Sequence, residues 1–271
     1  MTGGPQFYTH AERLKRVEEI AAQLRQHFGS QLLALGLYGS VARGTDGPYS
    51  DIELYCIVQG EGIDYAYEWS TGPWKAEVDV HSPDTLLAWA SELDGMWSLT
   101  HKSALTVQPL EDPQGIFAQM ARIAMAHSDQ EIDAALAECI VGDVYELVGK
   151  IRNAVAQGKN SGLALFTVEL VRYAAGVVGL AQRHLYPSAA EMLDDSLSLP
   201  DLPAGYPALC RLVISGRLDD PQEILARVDA FWVGAEAWAQ RRGLVIETTL
   251  ENLLKEFTTE KQAYRPQMNT D

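Results

Sequence analysis

Cysteine is scarce. Cys56, Cys139 and Cys210 stand far apart, odd in number and without CxxC or Cys/His spacing, so neither a disulfide framework nor a zinc site follows from them. Cys56 instead continues an apolar run and reads as core. Positive charge is scarce too: 21 Lys and Arg face 37 Asp and Glu, a formal net charge of -16. A nucleic-acid partner would want a basic surface, so this balance argues against one, and it suits a polycationic ligand. No unbroken 18-residue apolar stretch occurs, and Met1 to Arg16 carries no apolar signal segment. Neither a membrane span nor export is expected, and the chain reads as cytoplasmic. Repeats and low-complexity tracts are missing as well. What is present is a chain of 271 residues, 47% hydrophobic, long enough for one large domain or two ordinary ones.

The pattern changes character once. Up to about Leu110 it predicts an opening helix over Glu12 to Phe28, strands interrupted by Gly and Pro turns, and a helix between Asp84 and Leu93. From about Pro113 onward apolar residues recur at three-four spacing. They predict helices over Leu163 to His184, Ala189 to Asp195, Pro207 to Ser215 and Pro221 to Arg242, and one unbroken helix over Glu131 to Gln157. The expected architecture is an α+β domain over 1–128 followed by a helical bundle over 129–271, ending in a polar tail from about Glu251.

The chemistry concentrates around residues 32–81. Leu32 to Tyr38 reads as a buried strand running into Gly39, where a missing side chain lets backbone N–H groups approach phosphate oxygens. Ser40 and Arg43 follow, a hydroxyl and a guanidinium placed to complete a phosphate cradle. After the Thr45-Asp46-Gly47-Pro48 turn comes Asp51-Ile52-Glu53-Leu54. Strand alternation puts Asp51 and Glu53 on one face and Ile52 and Leu54 in the core. Paired hard oxygen ligands suit Mg²⁺ holding a triphosphate. In Trp74 to His81 one face is Trp74, Ala76, Val78 and Val80, and the other is Lys75, Glu77, Asp79 and His81, so Glu77 or Asp79 can supply a third carboxylate beside Lys75.

Strand, Gly-Ser turn, arginine loop and acid-apolar-acid strand together resemble the nucleotidyltransferase superfamily that includes DNA polymerase beta, implying a mixed sheet. A closer resemblance rests on Gly36-Leu37-Tyr38-Gly39-Ser40, Thr45 to Glu53, Glu68 to Val78, Leu99-Thr100-His101, Glu146 to Asn153, Asp201 to Tyr206 and Ser215 to Leu218. These segments are similar to the kanamycin nucleotidyltransferase family, the aminoglycoside 4'-O-nucleotidyltransferases, and run from about Glu12 to about Val245. The resemblance implies that Gly39, Ser40 and Arg43 bind nucleotide and that Asp51, Glu53 and Glu77 hold metal. It further implies Glu146 as general base, Lys150 near the α-phosphate, and Glu68 and Lys75 as further active-site positions. Gly142 stands where staphylococcal members carry an acid, with Asp143 next to it, so Glu68, Lys75, Glu77, Asp143 and Glu146 are the candidate drug contacts. The implied co-substrate is ATP, the ion Mg²⁺, and the assembly a homodimer with shared active sites.

Without the resemblance, Glu146 and Lys150 are an ordinary helix pair at i,i+4, and His101 is a structural hydrogen-bonding residue. Two other classes fit the same motifs: transfer of AMP to another acceptor, and a non-enzymatic nucleotidyltransferase-like binding or antitoxin module.

Overall fold

The computed structural model describes residues 3–252 and 254, so nearly all of the polar tail lies outside the described residues. The chain forms two compact units, with breaks at Ile132/Asp133, Ala174/Ala175 and Leu199/Pro200, and residues 175–199 pack with the first.

In the first unit, α1 (His10–Phe28) starts at a capping box: Glu12 N–H donates to Thr9 Oγ1 at 3.3 Å, and Thr9 N–H donates to the Glu12 carboxylate at 2.8 Å. Its buried stripe is Arg13, Val17, Ile20 and Ala21, the spacing of one helix face. Five strands form one mixed sheet: β1 (Leu32–Tyr38), β2 (Ile52–Val58), β3 (Asp64–Thr71), β4 (Trp74–His81) and β5 (Gln108–Glu111), in the order β3-β4-β2-β1-β5. β2 and β4 run parallel, and the other neighbours are antiparallel. β3 and β5 are strands the sequence reading did not separate out. Both lie at an edge, and all eight residues of β3 are exposed, so β3 lacks the apolar run that marks a covered strand.

Both faces of the central strands are covered. Leu35, Leu37, Ile52, Leu54, Ala76 and Val78 pack on the α1 side with Val17 and Ile20. Ala34, Tyr38, Tyr55 and Ile57 pack on the other side with residues of α3 (Pro83–Ala90), α5 (Lys102–Thr106) and α6 (Ile116–Ala124). The short helices α2 (Gly39–Arg43), directly after β1, and α4 (Trp97–Thr100) lie in the same unit. His101, between α4 and α5, is buried and structural: its Nε2 lies 3.1 Å from the Trp89 carbonyl, and its ring stacks on Trp89 with centroids 4.6 Å apart. Burial holds its pKa below the ordinary imidazole value.

The stretch expected as one helix over Glu131 to Gln157 is α7 (Asp129–Cys139), a π turn over Ile140–Tyr145, and α8 (Glu146–Ala156). A π turn inserts residues into the ladder and shifts the stripe that follows. Ile140, Val144, Leu147, Val148 and Ile151 are nonetheless all buried, as the periodicity required. After α9 (Leu163–Ala181) and α10 (Met192–Ser196), the second unit continues with α11 (Tyr206–Ile214) and α12 (Pro221–Arg242). α12 begins at Asp220, whose carboxylate accepts from Gln222 and Glu223 N–H, and stops at the left-handed Gly243. Phe231, Trp232 and Trp238 of α12 are buried. The three cysteines are buried and form no disulfide.

One stretch, Asn160–Ala181, is long and apolar enough to cross a membrane by length and composition, although no 18 apolar residues run unbroken in it. Of its most apolar window, 61% is buried inside the protein, as in a core helix.

Candidate active site

β1 delivers the chain into Gly39 at φ 72°, a left-handed conformation. A Cβ there would stand 1.7 Å from Glu53 Oε2, so the position needs glycine for space as well as for backbone. Gly39→Ala is expected to cost about 1–2 kcal/mol from the backbone conformation alone, and to push the Glu53 carboxylate out of place. Urea unfolding and a nucleotide titration of the variant check the two effects separately.

Cross-strand register lines up Tyr38 of β1, Glu53 of β2, Glu77 of β4 and Glu68 of β3 in one row. Asp51 sits just before β2. The sheet thus makes neighbours of four residues drawn from separate stretches of sequence. Burial, with the charges of Asp51 and Glu77 beside it, pushes the Glu53 carboxyl up to about 7, against the opposing pull of Arg43 and a hydrogen bond from the Ser40 backbone. Burial, together with Asp79 and Glu68, also raises Glu77 above the ordinary carboxylate value.

Lys75 answers this crowding. Its ammonium lies 2.8 Å from Glu68, 3.5 Å from Asp51 and 3.8 Å from Glu77. Among the described residues no three His, Cys, Asp or Glu side chains are gathered to hold a metal. The donor chemistry fits a hard divalent cation all the same: oxygen ligands only, crowded until one of them favours its proton. Asp79, the alternative third acid, is committed elsewhere, because Tyr38 OH donates to its Oδ2 at 2.5 Å.

The stability of the fold depends on the protonation of Glu53. Its folded pKa lies above the unfolded value of 4.5, so the protonated form favours the fold. That contribution is fully present below about 4.5 and is lost as pH rises through about 7. In EDTA, Glu53→Gln is therefore expected to unfold at higher temperature than wild type at pH 8, with the difference shrinking toward pH 4.5. Thermal melts of both proteins across that range check it, and a difference independent of pH would refute it.

A cavity of about 940 Å³ opens at this row, lined among others by Gly39, Ser40, Arg43, Asp51 and Glu53, five of the expected site residues. Asp79, the alternative third acid, lines it too, as do Asp64, His81, Trp89, Glu92 and Lys102, to which sequence reasoning assigned no role in a site.

Sequence reasoning also missed the support beneath Asp51. Arg13 of α1 donates from Nη1 to the Tyr8 carbonyl at 2.7 Å and to Asp46 at 3.0 Å, and from Nε to the Ser50 carbonyl at 2.8 Å. The side chains of Arg13 and Asp46 are 1% and 2% exposed. An arginine on the apolar stripe of a helix was the available signal, since a buried guanidinium demands partners. It ties α1 to the residue before Asp51.

In the second unit, Asp143 lies in the π turn and Glu146 opens α8. Lys150 Nζ stands 2.7 Å from Glu146 Oε1 with both side chains about half exposed, and this contact raises the lysine's pKa. Such a pair stabilises a helix by only about 0.2–0.5 kcal/mol.

The family model "KNTase C-terminal domain" matches residues 114–245. Two curated proteins, each named aminoglycoside nucleotidyltransferase (4'), one from a Bacillus species and one from Staphylococcus aureus, are 36% identical to this chain over 246 residues, covering 91% of it and 97% of each relative. Among solved structures, a nucleotidyltransferase-like protein from Exiguobacterium sibiricum superposes with a TM-score of 0.52 at 9% identity, over 83% of this chain and 75% of that one, a likeness of fold alone.

Proposed function

The chain belongs to the aminoglycoside nucleotidyltransferase (4') family, and from that membership we propose that it transfers AMP from Mg-ATP to the 4'-hydroxyl of aminoglycosides such as kanamycin and tobramycin, releasing pyrophosphate and inactivating the drug. The observation that carries this reading is the cavity in which the Gly39 turn, Ser40 and Arg43 meet Asp51 and Glu53. A triphosphate needs that combination of donors and hard oxygen ligands.

The acceptor hydroxyl attacks the α-phosphorus. A new O–Pα bond forms, the bond from Pα to the bridging oxygen breaks, and its electron pair leaves with pyrophosphate. Glu146 takes the hydroxyl proton. Lys150 and Arg43 steady the charge growing on the phosphate oxygens. Asp51, Glu53 and Glu77 would hold Mg²⁺, which supplies Lewis-acid neutralisation of the triphosphate.

Glu68, Glu77, Asp143 and Glu146 receive the drug's ammonium groups. The Lys75 ammonium among Glu68, Asp51 and Glu77 supports this, because it marks a place where carboxylates already accept an alkylammonium. The reading includes a nucleotidyltransferase domain over 1–128, a helical domain over 129–271, a homodimer in which Glu146 serves a shared site, and a cytoplasmic location with no nucleic-acid or membrane partner.

Pyrophosphate release from Mg-ATP with tobramycin, set beside an analogue lacking the 4'-hydroxyl, tests the reaction. Turnover with tobramycin alone is expected. Release with neither compound would redirect the search to another acceptor or to a binding module.

A further inference from the structure

The nucleotide cavity holds a second cation that the family motifs do not include. Its wall presents five carboxylates, and Arg43 and Lys102 are the lysine and arginine side chains that line it. Lys75 is drawn to three acids at once. Lys102 is half-buried and lines the same cavity as Asp51 and Glu53, yet its ammonium forms no ion pair or hydrogen bond among the described residues.

The backbone beneath Lys102 is fixed. It opens α5 directly after His101, whose buried ring is held by the Trp89 carbonyl and by Thr100. The next residue, Ser103, shares a hydrogen bond of 3.0 Å with Tyr55 OH. α5 also packs against α2, the helix that carries Ser40 and Arg43. A cation on a backbone held this firmly, lining an acidic cavity and unpaired among the described residues, is placed for an anionic ligand.

We infer that Lys102 binds the β- and γ-phosphates of the nucleotide and, after transfer, the departing pyrophosphate. The assignment rests on the nucleotide reading of this cavity and deepens it. As the Pα–O bond breaks, the electron pair settles on the bridging oxygen of pyrophosphate, and an ammonium carried on a fixed backbone in the same cavity as Arg43 stabilises that charge where it accumulates. Because the ammonium lies on a flexible four-carbon stem, it follows the leaving group without the bidentate geometry that an arginine imposes.

The test is calorimetric titration of sodium pyrophosphate, ATP and AMP, at constant Mg²⁺, into full-length wild type, Lys102→Met and Lys102→Arg. Lys102→Met is expected to weaken pyrophosphate about tenfold, or about 1.4 kcal/mol, to weaken ATP similarly, and to leave AMP, which has no β- or γ-phosphate, unchanged. Lys102→Arg restores most of the loss. Wild-type pyrophosphate affinity in Lys102→Met overturns the assignment while the nucleotide site stands, and so does an equal loss for AMP, which would mark a general disturbance. A wild-type protein that binds neither ATP nor pyrophosphate overturns the nucleotide reading itself.

Discussion

Glu146→Gln is expected to lower kcat by about 10²–10⁴-fold while leaving ATP binding intact. The amide keeps the size and one oxygen of the carboxylate, so Lys150, now 2.7 Å away, retains an acceptor. What disappears is a base able to take the proton from the attacking hydroxyl. The stability cost is expected to be no more than about 0.5 kcal/mol, because an exposed helix pair contributes little. A loss of rate without a loss of fold thus separates the catalytic role of Glu146 from the helix-pairing role its spacing alone predicts. Single-turnover kinetics beside an equilibrium ATP titration make the measurement, and a near-normal rate would remove Glu146 as the base.

Replacing Asp51 by Asn, or Glu53 by Gln, is expected to reduce Mg-dependent turnover by roughly a thousandfold or more, since losing one hard ligand forfeits several kcal/mol of charge stabilisation. The two variants differ in stability. Glu53 is half-buried and carries the repulsion of Asp51 and Glu77, so its amide is expected to relieve the metal-free protein. Asp51 is 37% exposed and already faces Lys75 at 3.5 Å, so its amide gives no comparable relief. Activity lost together with stability gained, as expected for Glu53→Gln in EDTA at alkaline pH, is the mark of a carboxylate kept for its ligand at the expense of the fold. Mn²⁺ binding followed by electron paramagnetic resonance reads metal affinity independently of activity, and retention of turnover in either variant would sink the metal assignment.

The sequence by itself determined the elements that carry a strong period and the residues whose chemistry is local. β4 and α12 appear where alternation and three-four spacing put them, because one covered face imposes its period on the chain, and β1 where its apolar run put it, because both its faces are covered. Asp51 and Glu53 lie either side of a buried Ile52, as strand alternation demands. Ser40 and Arg43 follow Gly39, as read from the sequence, but the positive φ of that glycine became visible only in the fold.

The third dimension decided what pairing across strands and packing between helices bring about. Glu77, and not Asp79, stands opposite Glu53, because β2 and β4 pair parallel in a register that no single strand encodes. Asp79 is claimed by Tyr38 from two strands away. Arg13 and Asp46 bury each other across 33 residues of chain, and Lys102 lines the same cavity as Asp51 from a helix far along the chain. The π turn at Ile140–Tyr145 escaped the periodicity because Ile140 and Val144 still fall on the buried face. Local pattern reports which face of an element is covered. Only the folded chain reports which side chains from distant segments share that cover, since their proximity comes from register and packing and leaves no spacing in the sequence.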